Sequence, residues 1–106
     1  MTRYALVADP QADLDVDATV RWYERQRPGL GLDFLGELRA AYTRIVTGPL
    51  GYQDMGRGTR RALLKRFPYA VYFVVGDDVV AIVAVLHASR DPAEWQRRRS
   101  EDEPSL

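Results

Sequence analysis

The hydrophobic positions of this chain change their spacing as they are followed from end to end. Arg3 to Ala8 (RYALVA) is a short apolar run that stops at Asp9-Pro10, and it predicts a first strand. Asp9 suits an N-cap and Pro10 a first helical position, where the missing N–H has no partner to lose, so a helix is expected to start near residue 10. Ala12, Val16, Thr19, Val20 and Tyr23 then recur at helical spacing, with Asp13, Asp17, Arg21 and Glu24 largely opposite, until Pro28-Gly29 ends the pattern. After the turn Gly29-Leu30-Gly31, a second amphipathic helix is marked by Phe34, Leu35, Leu38, Ala41, Tyr42, Ile45 and Val46 and stopped by Gly48-Pro49. A connector this short makes the two helices antiparallel neighbours with one shared apolar side.

Residues 48–59 hold four glycines in twelve positions and no periodicity, which predicts a mobile loop. Three strands are expected next, over about 60–67, 69–75 and 79–87, with Gly76-Asp77-Asp78 as the hairpin turn between the last two. Val79 to Leu86 is apolar without alternation, the mark of an inner strand buried on both faces. A last helix is predicted from Asp91, where Asp91, Pro92 and Glu94 read as a capping box. This order gives an α+β fold, β-α-α-β-β-β plus a short C-terminal helix, with the helical hairpin packed on a mostly antiparallel sheet. Residues 1–99 read as a single domain and residues 100–106 as an acidic, frayed tail.

Composition narrows the chemistry. With 106 residues there is room for one core. No cysteine is present, which removes disulfides, thiolate ligands and thiol nucleophiles. No basic n-region with a long apolar run opens the chain and no apolar segment is long enough to span a bilayer, so the expectation is a cytoplasmic protein without a membrane partner. Formal net charge is zero but unevenly spread: five Arg face seven acids in residues 1–40, six cations face one acid in 41–66, and four face seven in 67–106. Fourteen of the fifteen cations are arginine, a residue suited to bidentate grip on phosphate or carboxylate, although codon bias gives the same excess.

Candidate chemistry gathers in the second half. Arg57, Arg60, Arg61, Lys65 and Arg66 place five cations within ten residues with no acid among them, a field able to bind phosphates, an acidic partner segment, or simply to guard an edge strand. Strand alternation sets Arg61 with Lys65 on one face and Arg60 with Arg66 on the other. His87 is the sole histidine, which excludes a histidine pair and a multi-histidine metal site. At the mouth of the buried strand, three residues before Arg90, it fits either a general base or a satisfied strand-end histidine. Arg90 sits where the chain leaves the sheet, placed to hold a phosphate with the following helix N-terminus or to form an ordinary ion pair. Tyr69, Tyr72, Phe73 and Trp95 offer rings for stacking on a base, against the commoner use of Tyr72 and Phe73 as strand packing.

These parts, in this order, resemble the RelE/ParE family of bacterial type II toxins. The matching residues are Tyr23 with Pro28-Gly29-Leu30-Gly31, Phe34-Leu35, Phe67-Pro68-Tyr69, and His87-Ala88-Ser89-Arg90-Asp91-Pro92. The resemblance implies a toxin held silent by a cognate antitoxin, whose tail would wrap the exposed apolar residues and fold as it binds. It also implies one of two targets. Ribosome-dependent members cut mRNA with several inner-strand cations plus a late Tyr or His, for which this chain offers Lys65, His87 and Arg90 as catalytic residues. ParE-like members are thought to poison DNA gyrase without cleaving nucleic acid, and show the FPY and H-x-x-RDP pattern. Ala70 stands where the RNA-cleaving members usually carry arginine, and Lys65 is the single lysine, so the transition-state charge stabilisation of an RNA-cleaving site is short of donors. The expectation is therefore the ParE-like reading, with Arg57, Arg60, Arg61, Lys65, Arg66, Tyr69, Arg90 and Trp95 as target-binding residues and no cofactor or metal. The alternatives are the ribosome-dependent endoribonuclease and a degenerate toxin that only binds its antitoxin.

Overall fold

The computed structural model describes residues 4–90 and 92–102; Asp91, the expected cap of the last helix, and residues 103–106 of the acidic tail lie outside them. Strand β1 (Ala5–Ala8) leads into helices α1 (Pro10–Gln26) and α2 (Leu30–Thr47). A 3-10 turn (Pro49–Gly51) and the short strand β2 (Gln53–Asp54) come next. Strands β3 (Thr59–Leu63), β4 (Tyr69–Val75) and β5 (Val79–His87) and helix α3 (Ala93–Asp102) complete the chain. The sheet runs β1-β5-β4-β3-β2; β1 is parallel to β5 and every other pairing is antiparallel.

The hairpin forms as the Pro and Gly signals predict. Asp9 caps α1, its side chain accepting from the Gln11 N–H at 2.9 Å, and Gly29 takes a left-handed φ of 91° that a side chain would strain. Because Gly29 offers no capping side chain, Glu24 reaches back from α1 and accepts from the N–H groups of Gly29 at 3.0 Å and Gly31 at 3.1 Å. Gly31 is needed for contact as well as for turning: a Cβ there would lie 2.9 Å from the Val20 carbonyl oxygen. The seam between the helices and the sheet is aromatic: Tyr23 and Phe34 stack on each other, and each also meets the rings of Phe67 and Tyr69.

Three expectations need correction. The loop over residues 48–59 contains the 3-10 turn and β2, because β3 offers a free edge on which Gln53 and Asp54 pair with Arg61 and Arg60. The strand expected over 60–67 ends at Leu63, since the chain turns so that the Leu64 N–H donates to the Tyr69 carbonyl at 2.9 Å and Glu37 on α2 accepts from the Lys65 N–H at 2.9 Å. Lys65 and Arg66 therefore follow the strand, and the pairing of Arg61 with Lys65 and of Arg60 with Arg66 on shared strand faces does not occur. The last helix begins at Ala93.

The apolar run of β5 conceals a change of face. Facing pairs Tyr72–Ala84 and Phe73–Ile82 leave Val83 as an extra residue, a β-bulge. Val80, Ile82 and Val85 belong to the core beneath the helical hairpin, whereas Val83, Ala84 and Leu86 belong to a second cluster on the other face with Ala70, Tyr72 and Trp95. The bulge thereby turns His87, opposite Tyr69, toward the side of the sheet where α1 lies.

Candidate functional site

The end of the β4–β5 hairpin, the end of α1 and the link into α3 meet at one corner. Trp22, Tyr23, Pro68, Tyr69 and His87 line an apolar cleft of about 430 Å³. Tyr69 and His87 also line a neighbouring cleft of about 100 Å³ with Asp15, Ala18, Thr19, Val85, Leu86 and Arg90, so the two form one groove along α1. Trp22 is 49% exposed and stands edge-on to Tyr23, with ring centroids 5.0 Å apart. The His87 ring lies 5.4 Å from that of Tyr69, and its Nδ1 accepts from the Ser89 N–H at 3.1 Å. That bond leaves Nε2 as the ring position able to donate. Burial, then the neighbouring Tyr69, raises the Tyr23 phenol above its usual range.

Charge at this corner is organised around two carboxylates. Strand β1 ends beside Ile82, leaving the later half of β5 without a strand on that edge. Asp15 on α1 covers it: its Oδ2 accepts from the Val85 N–H at 3.0 Å, and both of its oxygens receive Arg98 of α3, at 2.6 and 3.0 Å. The pair is nearly sealed, with Arg98 and Asp15 side chains 10% and 12% exposed. The bond to Asp15 raises the Arg98 guanidinium further above its ordinary value against the opposing effect of burial. Glu94 accepts from Arg97 at 2.5 Å and Arg98 at 3.3 Å, with Arg90 at 3.9 Å. Burial pushes the Glu94 carboxyl up, but the Arg97 bond and the charges of Arg97, Arg98 and Arg90 outweigh it and hold the group below the usual carboxylate range. Arg90 is thus in an ion pair, though a long one, and its side chain is 54% exposed.

The basic block does not assemble into one patch. Arg60, opposite Phe73, sends its guanidinium to the Tyr52 carbonyl at 2.7 Å. Arg61, opposite Tyr72, reaches Gln53 Oε1 at 3.5 Å on the other face. Arg66 lies 3.7 Å from Glu37 and over the Phe67 ring. Arg57 occupies a left-handed turn, φ 58°, and its carbonyl accepts from Arg99 at 3.4 Å. Lys65 lines a further cleft with Leu63, Leu64, Arg66 and Phe67 that shares Pro68 and Tyr69 with the Trp22–His87 cleft, and no one of these three clefts holds Lys65 together with His87 and Arg90. Trp95 is 2% exposed and stacks on Tyr72 with ring centroids 5.6 Å apart, and it lines a cleft of about 480 Å³ with Met55, Arg57, Gln96 and Arg97. Among the described residues no three His, Cys, Asp or Glu side chains cluster as metal ligands, and no helix is long and apolar enough to cross a membrane.

Asp15, Glu94 and Arg98 were absent from the sequence-derived candidates. One signal was available: Asp15 falls three residues after Ala12 and four before Thr19, on the apolar side of α1, where an acid requires a cationic partner. The Arg97-Arg98-Arg99 run supplies three candidates without singling one out.

Comparison with known proteins fits this architecture. The family profile described as ParE toxin of type II toxin-antitoxin system, parDE, matches residues 6–92. The chain shares its fold with a chromosomal ParDE toxin-antitoxin system from P. aeruginosa at TM-score 0.72 and 18% identity, covering 80% of this chain and 96% of that one. A mutant of the E. coli toxin RelE in the free state gives TM-score 0.65 at 17% identity, with coverage of 95% and 97%. The RelBE2 toxin-antitoxin complex from Mycobacterium tuberculosis gives 0.54 at 21%, with coverage of 81% and 99%. Among curated proteins no sequence matches. With the profile spanning β1 through the His87–Arg90 turn, the chain belongs to the ParE toxin family of type II toxin-antitoxin systems.

Proposed function

We propose that this toxin acts in the cytoplasm by binding DNA gyrase and blocking it, without cutting nucleic acid, and that a partner antitoxin neutralises it. One observation carries the choice. The sheet face away from the helical hairpin presents Ala70, Tyr72, Val83, Ala84 and Leu86, all 5% exposed or less, beneath Trp95. RNA cleavage needs several donors aimed at the phosphate as charge develops on it, and removing one from such a site typically costs about 3 to 4 kcal/mol of transition-state stabilisation. Ala70 at the Pro68-Tyr69 corner supplies none, and Lys65 lines the cleft on the far side of Pro68 and Tyr69 from the one lined by His87 and Arg90. A groove with one half-exposed arginine and an aromatic wall suits recognition of a protein surface.

The catalytic alternative is tested by the residues it needs. Lys65→Ala and His87→Gln should remain folded, and the unmodified chain expressed without antitoxin should arrest growth while messages on translating ribosomes show no codon-phased cuts. Loss of growth arrest in either folded variant, together with such cuts by the unmodified chain, would replace the gyrase reading with the endoribonuclease one.

A further inference from the structure

We propose that the cleft between the β2–β3 turn and the first turn of α3 holds the phosphodiester backbone of the DNA on which gyrase acts, gripped by Arg57 and Arg97. The choice of DNA as occupant rests on the gyrase reading; the phosphate-binding chemistry stands on the cleft itself.

The backbone points to Arg57 first. Gly56, Arg57 and Gly58 take φ of 101°, 58° and 74°, three left-handed residues in succession. Glycine enters that region freely, whereas an arginine is strained there, and strain of this kind collects where a side chain has to be aimed. The turn is held on both sides. Asp54 accepts from the Gly56 N–H at 2.7 Å, and the Met55 N–H donates to the Thr59 carbonyl at 2.7 Å. From α3, Arg99 donates to Thr59 Oγ1 at 3.1 Å and to the Arg57 carbonyl at 3.4 Å. Arg99 thus fixes the main chain of Arg57 to α3, and the Arg57 side chain lines the cleft of about 480 Å³ between them.

Across the cleft α3 contributes Gln96 and Arg97. Glu94 takes one nitrogen of Arg97, and a guanidinium has donors to spare for a second acceptor. No carboxylate stands among the described residues that line the cleft, so an anion entering it meets two guanidiniums and a carboxamide. A protein surface needs apolar area to cover, and the one large ring here, Trp95, is 2% exposed and already stacked on Tyr72. Positive charge also continues past the cleft: Arg61, opposite Tyr72, lies on the same face of the sheet. A row of guanidiniums suits the repeated charge of a nucleic-acid backbone, which phosphate contacts bind without reading sequence. This cleft and the Trp22–His87 groove occupy opposite faces of the sheet, so one toxin reaches protein with one face and DNA with the other.

The test follows the anisotropy of a short labelled DNA duplex titrated with the full chain at low salt. Binding should be seen, and it should weaken as salt rises. Arg57→Gly and Arg97→Ala should each weaken it by about tenfold, and Arg57→Lys, which keeps the charge, by about threefold. Arg57→Gly should melt at or above the temperature of the unmodified chain, because it relieves the left-handed strain, so its lost binding is not lost folding. Arg21→Ala, on α1, should change nothing. In supercoiling assays Arg57→Gly should need about tenfold more protein to reach the same inhibition.

Duplex binding that is absent at low salt, or equal in Arg57→Gly, Arg97→Ala and the unmodified chain, would overturn the site, while inhibition of supercoiling by the unmodified chain would keep the gyrase reading. Binding through Arg57 with supercoiling unimpaired would keep the phosphate site and overturn the gyrase reading. An RNA of the same sequence that binds about tenfold more tightly than DNA would overturn DNA as the occupant. Poly-glutamate that binds through Arg57 where the duplex does not would assign the cleft to an acidic protein surface instead.

Discussion

The two faces of the sheet are closed by different means. Beneath the helical hairpin, Phe34, Ile45, Val71, Phe73, Val80 and Ile82 are fully buried, and the face is closed by the fit of apolar side chains delivered by two long helices. On the other face a single helix, α3, contributes one large ring, Trp95, and is fastened by the ion pair of Arg98 with Asp15 across the strandless edge of β5. Apolar burial is non-directional and tolerates relaxation, whereas a sealed ion pair depends on both partners. The hairpin face is therefore scaffold, and the α3 face is a cover whose retention depends on a few specific contacts.

The largest effects should come from striking each face at its own support. Phe34→Ala should destabilise the whole domain by about 3 to 5 kcal/mol, seen as one cooperative shift in chemical denaturation. Asp15→Ala should cost a similar ~3 to 5 kcal/mol, because it leaves the buried Arg98 with only the longer contact to Glu94 and the Val85 N–H unsatisfied. The two variants should separate by amide exchange: Asp15→Ala and Trp95→Ala should release protection first in α3, with β4 and the hairpin still protected, whereas Phe34→Ala should lower protection throughout. Uniform loss in all three would remove the distinction between scaffold and cover.

A smaller effect probes the hairpin's close approach. Gly31→Ala should cost about 1 to 3 kcal/mol, since the new methyl must displace the Val20 carbonyl and the Glu24 carboxylate that caps α2. Arg90→Ala should leave the melting temperature nearly unchanged while reducing growth inhibition, and a fully inhibitory Arg90→Ala protein would remove Arg90 from the target surface.

The smallest effects are pH-dependent and differ in sign between the faces. Tyr42, packed against the hairpin core, has its phenol pushed from 10.0 up to about 12, first by burial and then by Asp13 and Asp15. A raised acid binds its proton more tightly when folded, so its contribution is complete below pH 10.0 and lost as pH rises toward about 12. Tyr42→Phe should remove about 1 to 2 kcal/mol of that alkaline decline. Glu94 on the α3 face is shifted the other way; its contribution is present above pH 4.5 and lost as pH falls through the lowered value. Denaturation midpoints of Glu94→Gln and the unmodified chain should therefore converge in acid.

The same contrast explains what was legible beforehand. Helices α1 and α2 were readable because apolar residues recur at helical period between Pro and Gly stops, and the β4–β5 hairpin because Gly76-Asp77-Asp78 separates two apolar runs. The cover was not: Asp15 and Arg98 are 83 residues apart, and nothing local relates them. The bulge at Val83 was hidden because β5 is apolar at every position on both sides of it, so a switch of face leaves no trace in the pattern. Strand β2 was missed because its two residues, both exposed, owe their conformation to an edge provided by β3. At the site, His87, Arg90 and Tyr69 drew attention because they flank sharp turn signals, whereas nothing local on the polar helix α3 announces that the Trp95 ring stacks on Tyr72.

The central claim is that this toxin works by gripping a protein target rather than by cutting RNA, and gyrase supercoiling tests it most directly. Titrated into purified gyrase and relaxed plasmid, the folded chain should suppress supercoiling or trap gyrase on cleaved DNA, and added antitoxin should restore the activity. Unimpaired supercoiling at every concentration, from a preparation that cuts messages on translating ribosomes, would contradict it.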